Sequence, residues 1–357
     1  MIFSEEIMLG HTYEAINNGK LKIVYFGASI TVGASASDHK LYSWRALTTA
    51  WLRKTYPKCD ITEVNSSIGG TGSDLAVFRV GDDVIAHSPD LVFIEFCTND
   101  TQISDCTVYE ETVIRRIIGA LPETDIVMVR LIQRRMHEKL LRGEYDESYL
   151  AYEKLAKRYG LEFLDLGAAL YSHIENGDGD YKTYTKDDVH PNDIGHRILA
   201  DAAEEFLKSR IRMGGGRAPT TVEPLESDKY MSAKLLRAAG CEDTDFRLSE
   251  TSFYSDHRCL YASDEGKSIK LRFRGSVIGI VYQIAHDTGD IFWRVDGGEP
   301  VRLSMWDEYA LRFDRTGFAI LKNDLPYGEH MLEIICAGRK PDRSDGTFVR
   351  ISDFMIA

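Results

Sequence analysis

The chain has 357 residues, of which 43% are hydrophobic and 28% are charged, and its formal net charge is −13. These values are typical of a globular protein with a large core, and the length favours two domains. The acidic balance argues against nucleic acid as a partner, because nucleic-acid binders usually carry a basic stripe and this sequence has none. A neutral substrate, such as a sugar, fits this charge better than a phosphate polymer.

The N-terminal ten residues lack the basic leader and apolar core of a secretory signal, and no run of the chain approaches the length of a membrane span. We therefore expect a cytoplasmic protein without a membrane partner. The cysteines are scattered without paired spacing, which predicts free thiols in a reducing compartment. They are Cys59, Cys97, Cys106, Cys241, Cys259 and Cys336.

Residues 1–211 alternate short apolar runs with longer amphipathic stretches. The apolar runs, which predict strands covered on both faces, are residues 21–26, 61–64, 91–96, 126–131 and 161–166. The amphipathic stretches, which predict helices, are residues 41–56, 108–121, 145–159 and 192–211. This alternation predicts an α/β domain with a doubly wound parallel sheet.

The pattern changes after this domain. Residues 212–223 are rich in glycine and contain a proline, which predicts a linker. Residues 224–357 consist of short strand-like runs separated by turns, which is typical of an antiparallel β-sandwich. The predicted strands are residues 268–273, 277–284, 291–295, 309–313, 318–321, 330–336 and 348–355.

A serine, a histidine and an aspartate are the strongest candidates for catalysis. Ser29 follows the first predicted strand, which places its hydroxyl at the carboxyl edge of a parallel sheet. His190 follows Asp187 by three residues, in a turn before the last predicted helix. An imidazole oriented by a carboxylate is the usual base for a serine nucleophile. Taken singly, Ser29 also fits a helix cap and His190 a loop histidine.

Two further turns offer hydrogen-bond donors for an oxyanion. Asn99 would supply a side-chain amide at the end of the third strand, and Gly70 a backbone amide where a side chain would obstruct the substrate. Both residues are also common in turns for conformational reasons alone. His196 lies six residues after His190 but has no cluster of ligands at zinc spacing around it, so we expect no metal site.

Together these stretches resemble the SGNH subgroup of GDSL-type esterases and lipases, whose four sequence blocks supply Ser, Gly, Asn and His in that order. Residues 27–29, 65–70, 97–100 and 187–190 match the four blocks. The resemblance implies a flavodoxin-like SGNH hydrolase domain that needs no cofactor. It also implies a role for each matching residue. Ser29 would be the nucleophile, His190 the base and Asp187 the orienting acid, with the amides of Ser29, Gly70 and Asn99 in the oxyanion hole.

The match has two departures. Ala28 stands where many members have Asp, and Cys97 stands where Gly is usual before Thr-Asn-Asp. Neither position carries the proton or the oxyanion contacts, so the departures do not put the expected activity in doubt.

The second domain resembles the carbohydrate-binding jelly rolls that follow the esterase domain in bacterial mannan O-acetylesterases, on the evidence of residues 266–279 and 294–298. Trp293 alternates with apolar neighbours, which indicates a core position. Trp306 lies in a stretch without alternation, so stacking on a sugar and packing between domains are equally good interpretations. The polar residues 286–290 could reach the active site or merely connect two strands, and the connecting loop is the preferred interpretation.

From these features we expect a serine esterase that removes O-acetyl groups from a plant-type oligosaccharide such as mannan. Two alternatives stay open. One is a lipid or thioester acylhydrolase of the same fold, and the other is a carbohydrate-binding protein with a relic hydrolase domain. The expected partner is the acetylated oligosaccharide. The sequence leaves open whether the chain forms a homo-oligomer.

Overall fold

The structure is a computed structural model that describes residues 8–212, 223–254 and 257–357. It divides into two compact units, Met1–Asp228 and Lys229–Ala357. The predicted linker, residues 212–223, lies outside the described residues except at its two ends. Within the described ranges, no helix has both the length and the apolar character needed to cross a membrane. All six cysteines are unpaired, as their scattered spacing predicts.

The first unit contains a parallel sheet with the strand order β2-β1-β3-β4-β5. Its strands are β1 (Lys20–Gly27), β2 (Asp60–Asn65), β3 (Leu91–Glu95), β4 (Asp125–Arg130) and β5 (Glu162–Asp165). This is the flavodoxin-like order, in which ligands bind between β1 and β3 at the carboxyl ends of the strands. The predicted doubly wound parallel sheet is confirmed.

Helices connect these strands. They are α1 (Gly10–Asn17), α2 (Ser29–Val32), α3 (Trp44–Thr55), α4 (Ser73–Asp83), α5 (Cys97–Asp100), α6 (Cys106–Ala120), α7 (Arg134–Leu140), α8 (Glu147–Tyr159), α9 (Leu166–Glu175), α10 (Tyr181–Tyr184) and α11 (Asp193–Arg210). The four predicted helices correspond to α3, α6, α8 and α11. The sequence did not predict α4, because residues 75–80 of this helix are all buried and their unbroken burial gives no helical period.

Aromatic packing fixes α3 against the sheet. Tyr25 of β1 and Phe93 of β3 stack with ring centroids 5.0 Å apart. Trp44, the first residue of α3, meets both rings edge-on at 5.4 and 5.8 Å. All three side chains are fully buried. Such offset and edge-to-face contacts add to the energy of burial, so this cluster holds the two central strands and a covering helix together.

The second unit consists of two antiparallel sheets. One has the order β13-β10-β15-β8-β7, with β6 also paired to β15, and the other has the order β12-β11-β14-β9. The strands are β6 (Lys234–Arg237), β7 (Arg247–Tyr254), β8 (His257–Ala262), β9 (Ser268–Gly275), β10 (Ile278–Ile284), β11 (Asp290–Val295), β12 (Val301–Ser304), β13 (Arg315–Lys322), β14 (Gly328–Cys336) and β15 (Val349–Ile356).

A single hydrophobic core joins the two sheets, which makes the unit a β-sandwich. Ile280 and Phe354 enter the core from one sheet, and Ile291 and Leu332 enter it from the other. Trp293 belongs to the same core and is 8% exposed, so its predicted core position is confirmed.

The structure also corrects the sequence-based assignment of the second unit. Residues 309–313 were predicted as a strand, but Glu308–Leu311 is a 3-10 helix. The reason is local, since the Asp307 side chain accepts a hydrogen bond from the Tyr309 backbone and caps this turn. The strands β6, β7, β8 and β12 were not predicted. β12 is a short edge strand without a buried residue, so it carries no alternating signal.

Candidate active site

The site lies at the carboxyl edge of the parallel sheet, where β1 and β3 are neighbours. β1 leads through Gly27 and Ala28 into Ser29, the first residue of α2. A Cβ atom at Gly27 would lie 2.8 Å from the Glu95 carbonyl oxygen and 2.9 Å from Thr31 Oγ1. Only glycine fits there, so the tight turn that presents Ser29 depends on this close approach of the two strands.

The structure brings Ser29, His190 and Asp187 into one hydrogen-bonded line. Ser29 Oγ lies 2.8 Å from His190 Nε2. His190 Nδ1 lies 2.9 Å from Asp187 Oδ2 and 3.2 Å from Oδ1. The three side chains come from two segments that are more than 150 residues apart in the sequence. Each of these distances between neighbouring side chains is short enough for a hydrogen bond.

Asp187 is fixed by the backbone of its own loop. Its Oδ1 accepts hydrogen bonds from the backbone amides of Val189, at 2.8 Å, and His190, at 2.7 Å. Burial alone would raise the pKa of Asp187, but hydrogen bonds from the His190 side chain and from these backbone amides lower it below its usual value. The carboxylate is therefore ionised at neutral pH and can accept a hydrogen bond from the Nδ1–H group of His190.

The loop that carries His190 is tied to α7 and α11. The Asp188 carbonyl accepts a hydrogen bond from the Arg134 backbone at 2.9 Å, and the Asp188 carboxylate pairs with the Arg134 guanidinium at 3.2 Å. On the other side, Asn192 caps α11 by accepting hydrogen bonds from the backbone amides of Ile194 and Gly195. These contacts set where the imidazole stands.

The two predicted oxyanion donors lie after β2 and β3, at the edge of the sheet where β1 leads into Ser29. Gly70 has a φ of +75°, a left-handed conformation that favours glycine. A Cβ atom on the preceding Gly69 would lie only 3.7 Å from Ser29 Cβ, so this turn passes directly beside the serine. Asn99 lies on α5, where Cys97, Thr98 and Asp100 are buried and Asn99 is half-buried. Of the four residues of α5, Asn99 is therefore the one whose side chain is partly exposed at the end of β3.

Glu95, the last residue of β3, lies beneath the turn that carries Ser29. Its Oε2 accepts hydrogen bonds from Thr31 Oγ1 at 2.7 Å and from the Ala28 backbone at 3.4 Å. Its Oε1 is buried without a donor among the described residues. Burial raises the pKa of Glu95 to about 8, so this carboxyl holds its proton at neutral pH. Sequence reasoning missed Glu95, although an acid that ends an apolar strand was a usable signal.

His196 has a structural position. Its Nδ1 accepts a hydrogen bond from the Trp44 backbone, and its Nε2 lies 3.3 Å from the Ala34 carbonyl. Burial lowers the pKa of His196 to about 4, so the ring is neutral. In the part of the chain that the structure describes, no group of three or more His, Cys, Asp or Glu residues could hold a metal ion.

Two predicted features belong to the second unit. Trp306 is half-buried against the core of the sandwich, and its Nε1 is buried without a hydrogen-bond partner in the described ranges. In the polar loop of residues 286–290, Asp287 forms a two-pronged ion pair with Arg350, at 2.8 and 2.9 Å. Asp290, at the end of that loop, pairs with Arg302. These pairs anchor the loop to neighbouring strands, as expected of a connection.

The family model described as GDSL-like Lipase/Acylhydrolase matches residues 25–198, a range that contains all five predicted residues of the triad and the oxyanion hole. The chain thus contains a GDSL-like lipase/acylhydrolase domain. The chain is therefore a carboxylic ester hydrolase. No curated protein matches the sequence.

Solved structures share the two-domain architecture of this chain. One is a two-domain esterase active on acetylated mannans, crystallised with mannopentaose. It is 22% identical, covers 96% of this chain and 92% of its own, and superposes with a TM-score of 0.82. Another crystal structure of a two-domain esterase active on acetylated mannans is 23% identical, with the same coverage and TM-score. The likeness establishes the fold of both domains.

An acetylxylan esterase from Geobacillus stearothermophilus, in the form of a catalytic mutant, matches over a shorter range. It is 22% identical and covers 55% of this chain and 96% of its own, with a TM-score of 0.46.

The raised pKa of Glu95 predicts a pH-dependent stability. Between its ordinary value of 4.5 and about 8, the folded protein holds a proton that the unfolded chain has released. Stability therefore falls as pH rises through this window, by at most about 1.4 kcal/mol per pH unit. Glu95→Gln removes the titrating group. The free energy of unfolding, measured by urea denaturation between pH 5 and 8, is therefore expected to fall less with rising pH in this variant than in the wild type.

The matched control is Glu153→Gln, since the Glu153 side chain is 70% exposed on the same domain. This variant should keep the wild-type pH dependence. If the free energy of unfolding depends on pH equally in wild type and Glu95→Gln, then Glu95 is ionised in the folded protein. That result would contradict a protonated Glu95.

Proposed function

We propose that Ser29, His190 and Asp187 form the catalytic triad of this esterase. The unbroken line of hydrogen bonds from Ser29 Oγ through the His190 ring to Asp187 is the observation that carries the proposal. The imidazole contacts the hydroxyl with one nitrogen and the carboxylate with the other. This is the geometry that a general base needs in order to take the serine proton and be stabilised as an imidazolium.

The reaction runs through an acyl-enzyme. Ser29 Oγ bonds to the ester carbonyl carbon while His190 Nε2 takes the hydroxyl proton. The tetrahedral intermediate then collapses, the carbon–oxygen bond to the alcohol breaks, and the alcohol leaves with the proton from His190. A water molecule repeats the sequence, with His190 as base, and releases the acid from Ser29.

In this proposal the backbone amides of Ser29 and Gly70 and the side-chain amide of Asn99 hold the oxyanion of each tetrahedral intermediate. The Gly70 turn passes beside Ser29, and Asn99 is the accessible residue of α5. Each such donor typically contributes about 3–4 kcal/mol to transition-state stabilisation, because it is oriented before charge develops.

We further propose that the substrate is an O-acetylated plant-type oligosaccharide such as mannan. The acidic chain favours a neutral substrate over a polyanion. The two-domain architecture, an esterase domain followed by a β-sandwich, is shared over nearly the whole chain with an esterase active on acetylated mannans. With this substrate the acyl-enzyme is an acetyl-enzyme, and its hydrolysis releases acetate.

Acetate release from acetylated manno- and xylo-oligosaccharides tests the substrate class. Wild-type protein should release acetate from at least one of these glycans and should prefer acetyl among a chain-length series of aryl esters. Ser29→Ala removes the attacking oxygen, so its acetate release should fall to the uncatalysed level. Enzymatic quantification of acetate and NMR of the sugar provide the measurement.

Other outcomes would contradict the proposal in distinct ways. A rate optimum at long acyl chains, with no glycan turnover, would identify a lipid or thioester acylhydrolase. Glycan binding without hydrolysis of any ester would identify a binding protein with a relic hydrolase domain.

The role of Asp187 can be separated from that of its neighbour. Asp187→Asn keeps the size of the side chain but favours the wrong tautomer of His190, so kcat should fall by about 10⁴-fold. Asp188→Asn is the matched control, because Asp188 pairs with Arg134 and not with the imidazole. Its effect should stay within about fivefold, since an exposed ion pair contributes at most about 1 kcal/mol. Similar losses in both variants would argue for a general disturbance of the loop.

We propose that Trp306 contributes to glycan binding by stacking its indole ring on a sugar ring. The side chain is half-buried against the core of the sandwich, so part of it stays accessible. Trp306→Leu keeps the apolar packing and removes the aromatic face. Calorimetry with acetylated oligosaccharide and catalytically inactive Ser29→Ala protein should show about 2- to 10-fold weaker binding, the value of one aromatic stacking contact. Tyr327→Ala removes a 69% exposed aromatic of the same unit and serves as the control. Unchanged affinity in Trp306→Leu would remove Trp306 from the glycan site.

A further inference from the structure

One buried carboxylate joins the two segments that would form the oxyanion hole. Asp100 follows Asn99 on α5 and is 1% exposed. Its Oδ1 accepts a hydrogen bond from the backbone amide of Ser73 at 2.8 Å, and Ser73 begins α4 three residues after Gly70. A Cβ atom at Gly72 would lie 2.6 Å from the same oxygen. Asp100 thus holds the Gly70 turn at a fixed distance from α5.

A second buried acid lies against Asp100. Glu110 of α6 is also 1% exposed, and its carboxyl is in hydrogen-bonding contact with the Asp100 carboxyl. Both oxygens of Glu110, and Oδ2 of Asp100, are buried and receive no well-directed N–H or O–H in the described part of the chain. Two bare carboxylates in contact inside a protein would repel each other and lose their hydration. One proton between them removes both costs.

The proton belongs to Glu110. Burial raises the pKa of Glu110 well above its usual value, and the charge of Asp100 raises it further. Burial also raises the pKa of Asp100 above its usual value, but hydrogen bonds from Glu110 and from the Ser73 backbone oppose this rise, whereas both the charge of Asp100 and the hydrogen bond to it add to the rise at Glu110. The arrangement is therefore a neutral Glu110 that donates to Asp100 Oδ2, with Asp100 Oδ1 left to accept from Ser73.

The groups around Glu110 complete the network. Tyr152 of α8 faces its carboxyl, and the Tyr152 hydroxyl oxygen accepts a hydrogen bond from the Phe96 backbone at 2.6 Å. Phe96 connects β3 to α5. The thiols of Cys97 and Cys106 also interact with Glu110, and burial raises the pKa of both thiols, so they are neutral. Among these neighbours of Glu110, Asp100 is the one that carries a charge.

We infer that Glu110, in its protonated form, is a positioning residue for the oxyanion hole. It donates to Asp100, and Asp100 in turn holds the Gly70 turn and the Asn99 helix in one arrangement. This inference rests on the proposed function, because it assumes that Gly70 and Asn99 bind the oxyanion. Glu110 touches neither the substrate nor the reacting atoms.

Loss of the donated proton should affect the transition state more than substrate binding. Oxyanion donors must lie within about 2.7–3.1 Å of the developing charge, and a misplacement of about 1 Å can cost about 10²-fold in rate. The ground-state ester needs no such precision. A loosened network therefore lowers kcat and leaves KM nearly unchanged.

The experiment compares three variants with aryl acetate as substrate. Glu110→Gln keeps a neutral donor, and its kcat should stay within about threefold of wild type. Glu110→Leu removes the donor at similar volume, and its kcat should fall by about 10- to 100-fold with KM changed less than twofold. Glu111→Gln is the matched control, because this adjacent buried acid contacts Tyr159 and the Leu225 backbone instead. It should keep the wild-type kcat.

A second readout reports on the network without catalysis. Hydrogen exchange at the Ser73 amide should accelerate in Glu110→Leu and stay slow in Glu110→Gln. If Glu110→Leu does not fold, Glu110→Met replaces it in both measurements. A kcat and a Ser73 exchange rate in Glu110→Leu equal to those of wild type would overturn the inference. A Glu110→Gln variant as impaired as Glu110→Leu would also overturn it, since the donated proton would then not be the cause.

Failure of the proposed function gives a different pattern. Wild-type protein without esterase activity, or with activity that persists in Ser29→Ala, would refute the catalytic site itself. In that case the exchange rate of the Ser73 amide still tests whether Glu110 stabilises the contact between Asp100 and Ser73. The expected effect of Glu110 on kcat would be refuted together with the proposed function.

Discussion

The parallel pairing of β1 with β3 is the contact on which the site depends. In this register Gly27 lies opposite Glu95, so the turn into Ser29 and the turn into Asn99 leave the sheet side by side. The space between the two turns is so narrow that residue 27 must be glycine. Glu95 fills the space beneath, bonded to Thr31 and to the backbone of Ala28. The segments that carry Ser29 and Asn99 thus leave the sheet at the same edge.

Charge is the second constraint, because several carboxyls lie near the segments that are proposed to hold a negative oxyanion. Burial raises the pKa of Glu95 to about 8 and that of Asp74, in the first turn of α4, to about 7, and Glu110 is neutral for the same reason. The remaining charge on Asp100 faces the first turn of α4, whose amide groups and helix dipole favour an anion. Without these protons, like charges in a low-dielectric interior would oppose the developing oxyanion. The acids are therefore compatible with catalysis because burial keeps most of them uncharged.

The predictions from sequence succeeded where the determining interactions are local. Strand ends, the turn after β1 and the three-residue spacing of Asp187 and His190 are set by neighbouring residues, so these elements could be read directly. Glu95 and Glu110 were missed because their protonation depends on neighbours brought together only by the fold. Helix α4 was missed because its residues 75–80 are all buried, so the sequence shows no helical alternation of apolar and polar residues. Residues 309–313 were wrongly predicted as a strand because their apolar character suggested one, whereas the capping side chain of Asp307 favours a helical turn. The pairing of Asp100 with the amide of Ser73 has no sequence signal at all.

The two halves of the proposed machinery are stabilised in different ways, and this difference has consequences. The nucleophile and the oxyanion donors stand on buried contacts of the sheet, so changes there disturb stability and kcat together. The Asp187 side chain is 53% exposed and that of His190 is 25% exposed, and both are held by hydrogen bonds within their own loop. Changes in that loop act on the proton relay while the fold keeps its core. A catalytic site built in this manner separates the part that must be rigid, where the oxyanion forms, from the part that must exchange protons with water.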